Sequence, residues 1–144
     1  MPRSNRRACF GETKKSFLGK RLEFYFDRLM PLLKLETTVA VSEDKRKGLL
    51  AALSKAVAET IGKPEQYVMV TISQAAIVMS GKSGDAAFVD IRSIGGLNGE
   101  VNRKLSQQIC KLLKDSLGIP PDRTYVNFAD VDAGNWGRNG STFG

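Results

Sequence analysis

The chain has no histidine among its 144 residues. That absence removes Ser-His-Asp and Cys-His nucleophilic chemistry and argues against a transition-metal site, since imidazole is the commonest ligand. Cysteine is scarce too: Cys9 and Cys110 stand far apart and form no Cys-x-x-Cys. A disulfide framework has no support, and Cys110, inside an apolar helix pattern, reads as a small core residue. No run approaches the roughly 18–20 apolar residues that span a bilayer. Residues 1–30 lack the apolar core, roughly 7–15 residues long, of a secretory signal. What is present suits one globular domain: 42% of residues are apolar, and this length buries roughly two-thirds of the unfolded surface.

Charge is distributed unevenly. Of the net +7, residues 1–30 hold +5, eight basic residues against Glu12, Glu23 and Asp27, which leaves +2 for residues 31–144. An electrostatic argument for nucleic acid or acidic membranes applies only to this basic leader, and no such partner is indicated for the domain. The leader admits three accounts: a segment upstream of a true start at Met30 or later removed, a weak organellar transit peptide, or a retained tail. Its acids argue against the transit peptide. The boundary is the Met30-Pro31 junction. A proline at a chain start is a secondary amine and a base, whereas inside a chain its nitrogen is an amide committed to resonance.

From Pro31 to Thr38, Leu33 and Leu35 alternate with Lys34 and Glu36, which predicts a strand. Ser42 is the expected N-cap of a helix with Glu43 and Asp44 in its first turn. Leu49, Leu50, Leu53, Val57 and Ile61 form its apolar stripe, Gly62 ends it, and Pro64 prevents continuation. Tyr67 to Ser73 predicts a second strand. The unit then recurs. A strand over Ala87 to Arg92 precedes a helix opened near Asn98, with Val101, Leu105, Ile109, Leu112 and Leu113 as its stripe; Gly118 closes it and a strand follows over Thr124 to Phe128. The expected class is α/β (α+β): two βαβ repeats forming one four-stranded sheet with both helices on one face. The other face would be bare, and Val68, Val70 and Ile72 need cover, so association is expected.

Five segments carry a resemblance. They are Met30-Pro31-Leu-Leu-Lys-Leu-Glu-Thr-Thr-Val, Gly62-Lys63-Pro64-Glu65-Gln66-Tyr67-Val68, Ser93-Ile94-Gly95-Gly96-Leu97, Pro121-Asp122-Arg123-Thr124-Tyr125-Val126-Asn127 and Asn135-Trp-Gly-Arg-Asn-Gly-Ser-Thr-Phe-Gly144. Their order and spacing make residues 31–144 resemble the macrophage migration inhibitory factor and D-dopachrome tautomerase family of the tautomerase superfamily. The leader has no counterpart there. The resemblance implies a homotrimer whose sheets line a central barrel, with sites at subunit boundaries and no cofactor or metal. It also implies keto–enol tautomerisation of small aromatic α-keto acids such as phenylpyruvate, or of dopachrome-type acids.

The implied base is Pro31, once exposed as an amino terminus. Lys63 becomes the contact to the substrate carboxylate; without the resemblance it is an ordinary charge at a helix end. Ile94 would offer its backbone N–H from the turn that Ser93 opens, although a Gly-Gly turn alone is weak evidence for an anion site. Tyr125 and Asn127 alternate on one strand and share a face, pointing to a neighbouring pocket or serving a structural pair. Leu32, Trp136 and Phe143 would complete the wall. Two departures stand out: Arg92 replaces a histidine of mammalian relatives, and Arg138 replaces an aromatic common at the pocket mouth. Together they predict a cationic rim that favours anions. The mammalian Cys-x-x-Cys is missing from Ala86-Ala87-Phe88-Val89-Asp90, so no redox function is expected.

Two functional classes remain. A free Pro31 amine makes the protein a tautomerase; a Pro31 blocked by the leader makes it a non-catalytic, cytokine-like binding trimer with a receptor-type protein partner. The expected location is cytoplasmic, or secreted without a signal peptide, with organellar targeting by residues 1–30 the weaker account.

Overall fold

Alternation of apolar and polar residues on four short segments builds the sheet, and a computed structural model describes residues 30–144 of it. Expectations for the leader and Cys9 lie outside these residues. In chain order the elements are β1 (Leu32–Thr37), α1 (Glu43–Ile61), β2 (Met69–Gln74), β3 (Ala87–Ser93), α2 (Gly99–Leu117) and β4 (Thr124–Asp130). Two short strands, β5 (Gly137–Arg138) and β6 (Ser141–Thr142), form a terminal hairpin that the sequence pattern did not predict. The sheet order is β2-β1-β3-β4. β1 runs parallel to β2 and β3 parallel to β4, so each pair with its helix is a βαβ unit. The two units join where β1 and β3 pair antiparallel.

The core lies between one sheet face and the helices. Leu33, Leu35, Val89 and Ile91 of the sheet meet Leu49, Leu53 and Val57 of α1 and Leu105, Ile109 and Leu113 of α2. Burying one such side chain contributes about 1.5–3 kcal/mol. The exposed helix pairs Lys55–Glu59, Lys104–Glu100 and Lys111–Asp115 contribute at most about 1 kcal/mol each. Packing, not surface charge, holds the two units together.

The uncovered face corrects an expectation. Val68, Val70 and Ile72 pack against the helix-side core, because strand alternation turns them toward the helices. The register puts Lys34, Glu36, Thr71, Ser73, Asp90, Arg92 and Asn127 on the open face, among Leu32, Met69, Phe88 and Tyr125. That face is half polar, so a bare apolar surface does not argue for association. Cys110 is likewise half-buried rather than in the core, and its burial pushes the thiol above its usual value.

The helix ends agree with the sequence in part. Asn98 accepts from Glu100 N at 3.0 Å and Val101 N at 2.9 Å, a working N-cap. Ser42 occupies the cap position of α1, but its side chain makes no capping bond and only its carbonyl accepts, from Arg46 N at 2.8 Å. Gly62 and Gly118 end the helices in the left-handed region, at φ of 77° and 69°. The connection from β2 to β3 is tied down by Arg123. Its guanidinium donates to the carbonyls of Met79 at 3.1 Å, Lys82 at 3.3 Å, Gly84 at 3.4 Å and Asp85 at 3.1 Å.

Candidate active site

Pro31 stands at the head of β1, an inner strand. Its ring is fully buried, and its carbonyl accepts from Met69 N at 3.0 Å. The register of Leu32 with Arg92 puts Ser93, at the end of β3, opposite Pro31. One side of Pro31 is therefore the start of β2 and the other the end of β3.

The turn after β3 is closely held. Ser93 Oγ donates to Gly95 O at 2.7 Å, Gly95 N donates to Asp130 Oδ1 at 2.8 Å, and Val131 N donates to Ser93 O at 2.9 Å. Gly96 has a φ of +82°, and a Cβ there would stand 2.7 Å from Ile61 Cγ2 and 3.1 Å from Lys63 Cε. The stem of Lys63 thus lies across Gly96, a close approach only glycine permits. Lys63 leaves the Gly62 cap with its N–H on Ala58 O at 2.8 Å. Partial burial pushes its ammonium below the ordinary lysine value. The Ile94 side chain is buried, so what this residue can offer a ligand is its backbone. Pro31, Leu32, Lys63, Ser93 and Ile94 are gathered at one end of the sheet.

The C-terminal segment returns to the same end through the bonds of Asp130 and Val131 to the turn. Trp136 and Phe143 are half-buried there, with Phe143 N on Trp136 O at 3.1 Å. Arg138 Nη1 lies 3.9 Å from Met30 Sδ, beside the residue that precedes Pro31.

Tyr125 and Asn127 are not part of this group. They sit on β4, two strands from β1, and the register puts them toward the other end. Strand geometry separates their Cα atoms from Pro31 by roughly 19 Å and 14 Å. Arg92 also differs from expectation. Its Nε donates to Asp90 Oδ2 at 2.9 Å, and the same carboxylate accepts from Asn127 Nδ2 at 3.0 Å through Oδ1. The cationic rim expected from Arg92 and Arg138 is therefore weakened by Asp90. A cleft of about 820 Å³ between Gln74–Val78 and Ser83–Asp85 lies at the opposite end of the sheet from Pro31.

Asp90 and Asp130 were not singled out from the sequence. A carboxylate between Val89 and Ile91, two residues from an arginine, was a signal for Asp90. Asp130 had none, because its bond to Gly95 spans 35 positions and depends on the β3–β4 register.

Two βαβ units joined antiparallel, with a buried proline heading an inner strand, define a tautomerase-superfamily domain. The family model described as macrophage migration inhibitory factor (MIF) matches residues 30–144. Macrophage migration inhibitory factor of Meriones unguiculatus is 41% identical over 115 residues, covering 79% of this chain and 99% of that protein. The homolog of Trichuris trichiura is 42% identical over 115 residues, covering 79% of this chain and 100% of the homolog. Among solved structures, the macrophage migration inhibitory factor-like protein of Entamoeba histolytica superposes with a TM-score of 0.76 at 34% identity. That match covers 78% of this chain and 98% of the other. The Prochlorococcus marinus homologue gives 0.75 at 39% identity, covering 78% and 99%. The chain belongs to the macrophage migration inhibitory factor family.

Proposed function

We propose that residues 31–144, released so that Pro31 is the amino terminus, act as a keto–enol tautomerase on phenylpyruvate-type α-keto acids. The observation that carries this reading is the setting of Pro31, a buried ring with Lys63 and the Ser93–Gly96 turn gathered at its end of the sheet. Membership of a family that includes tautomerases supports it.

As an amide, the Pro31 nitrogen has no basic lone pair. As a secondary amine it has one, and its burial, with a lysine at the same end of the sheet, disfavours the protonated form. The free amine removes a proton from the carbon beside the ketone. That C–H bond breaks, a C=C bond forms, and the ketone oxygen gains a proton from water while the Pro31 ammonium returns its own to solvent, giving the enol and the free amine; the reverse path regenerates the keto acid. No electrons enter or leave. Lys63 pairs with the substrate carboxylate, and the Ile94 N–H donates to a substrate oxygen. Leu32, Trp136 and Phe143 supply the wall. Tyr125 and Asn127 are too distant within one chain, so in this reading they line the site of a neighbouring copy in a homotrimer. The leader is then an accessory segment that keeps Pro31 an amide until it is removed.

The protein beginning at Pro31 is expected to interconvert enol and keto phenylpyruvate in an ultraviolet assay and to scatter light as a trimer. The full chain, shown by mass spectrometry to keep its Met30–Pro31 bond, is expected to be at least about a hundredfold slower, the contribution of one general base. Equal rates would remove Pro31 as the base, and a fully active monomer would remove the shared site. An intact bond in the protein from its native source favours the cytokine-like binding role with a receptor-type partner. Among the described residues no helix is long and apolar enough to cross a membrane, and the location proposed is cytoplasmic or secreted without a signal peptide.

A further inference from the structure

The open sheet face carries a three-residue hydrogen-bonded group, of which the proposed function uses Asn127 alone and gives no role to Asp90. Asp90 lies between Lys34 of β1, its register partner, and Asn127 of β4, its partner on the other side. Its side chain is only 11% exposed. Oδ2 accepts from Arg92 Nε at 2.9 Å and Oδ1 from Asn127 Nδ2 at 3.0 Å. The Arg92 charge keeps Asp90 from being a nearly buried, unpaired carboxylate, which would be costly.

The chemistry of this group fixes one orientation. An ionised carboxylate only accepts hydrogen bonds, so the Asn127 amide must turn its nitrogen toward Asp90. Its single side-chain acceptor, Oδ1, is then held on the edge of the amide that faces away from Asp90. An asparagine without such a neighbour rotates and presents either group. Here a charge-assisted bond selects one.

We propose that Asp90 is a positioning residue that fixes Asn127 with Oδ1 toward the ligand, so that the site prefers an α-keto acid whose far end carries a hydrogen-bond donor over one ending in an acceptor alone. The preference rests on the tautomerase reading, in which Asn127 lines a site; the orientation of the amide does not.

Two measurements test the two parts. In the full chain, nuclear magnetic resonance should find the Asn127 Nδ2 protons distinct and slow to exchange, identified by their loss in Asn127→Ser. Asp90→Ala should return them to the values of solvent-exposed amides, with exchange faster by roughly three- to tenfold. Unchanged resonances overturn the positioning role. Asp90→Asn keeps the shape of the side chain should the alanine variant fail to fold. Its amide can donate to Oδ1 as well as accept from Nδ2, so the selection between orientations is lost. In the protein beginning at Pro31, the ratio of kcat/KM for 4-hydroxyphenylpyruvate to that for 4-methoxyphenylpyruvate should fall roughly three- to tenfold in Asp90→Asn. A ratio that does not move overturns the preference. If the parent protein turns over no phenylpyruvate, the tautomerase reading fails by itself. The same ratio is then taken from calorimetric Kd values for the two acids, with the same two outcomes.

Discussion

A lysine that is partly withdrawn from water holds its proton less firmly, and Lys63 is such a residue. The sign of the effect on a carboxylate ligand follows. The ligand favours the charged lysine, so as pH rises through the lowered pKa the partner is lost and KM climbs. The climb should begin below the ordinary lysine value of about 10.4. Lys63→Arg keeps its charge at those pH values, so its KM should stay flat where that of the parent rises. Lys63→Ala should lose roughly ten- to hundredfold in kcat/KM, mostly through KM, because the carboxylate is charged in ground and transition states alike. Steady-state kinetics on a phenylpyruvate-type acid from neutral to alkaline pH checks all three. Pro31, Lys63 and Ile94 were nameable from the sequence because each stands in a short segment that resembles the family. Asp90 and Asp130 were harder, since each acts on a residue brought near only by strand register.

At the scale of elements, the two helices begin in different ways although both start with a preferred capping residue. Asn98 satisfies two orphan N–H groups of α2, whereas the Ser42 side chain satisfies none in α1. Asn98→Ala should therefore cost about 1 kcal/mol in a urea titration, and Ser42→Ala a few tenths at most. Equal losses would show that cap geometry is not what separates the two helices. The sequence could name both caps because residue type carries the preference; it could not say which side chain is turned to bond. The apolar stripes, the glycine stops and the repeat were legible for the same reason, as they are periodic and local. The character of the open face was not. Val70 and Ile72 look as though they need cover until register and alternation turn them toward the helix-side core beneath α1, leaving Lys34, Asp90 and Arg92 on the other side.

For the whole molecule, the positions that resemble a binding site divide into two sets. One set meets at the Pro31 end of the sheet, and the other, Tyr125 and Asn127, stands far along β4. In the proposed reading a single chain supplies most of one site and a remote part of another, which is why assembly and activity are tested together. Arg123 has a consequence of a different kind. The connection it ties down is exposed at its tip, with Val78 72% accessible, yet four of its carbonyls are bound to one guanidinium. A protease must draw its target into an extended strand, and this loop gives up those bonds before it can comply. Lys82 should therefore survive a lysine-specific protease under native conditions, and Arg123→Gln should speed cleavage there by at least about tenfold, read by mass spectrometry of the fragments. Equal cleavage rates would mean that the guanidinium does not guard the loop. One side chain at the entrance to β4 thus sets how long the exposed link between the two halves of the chain lasts among proteases.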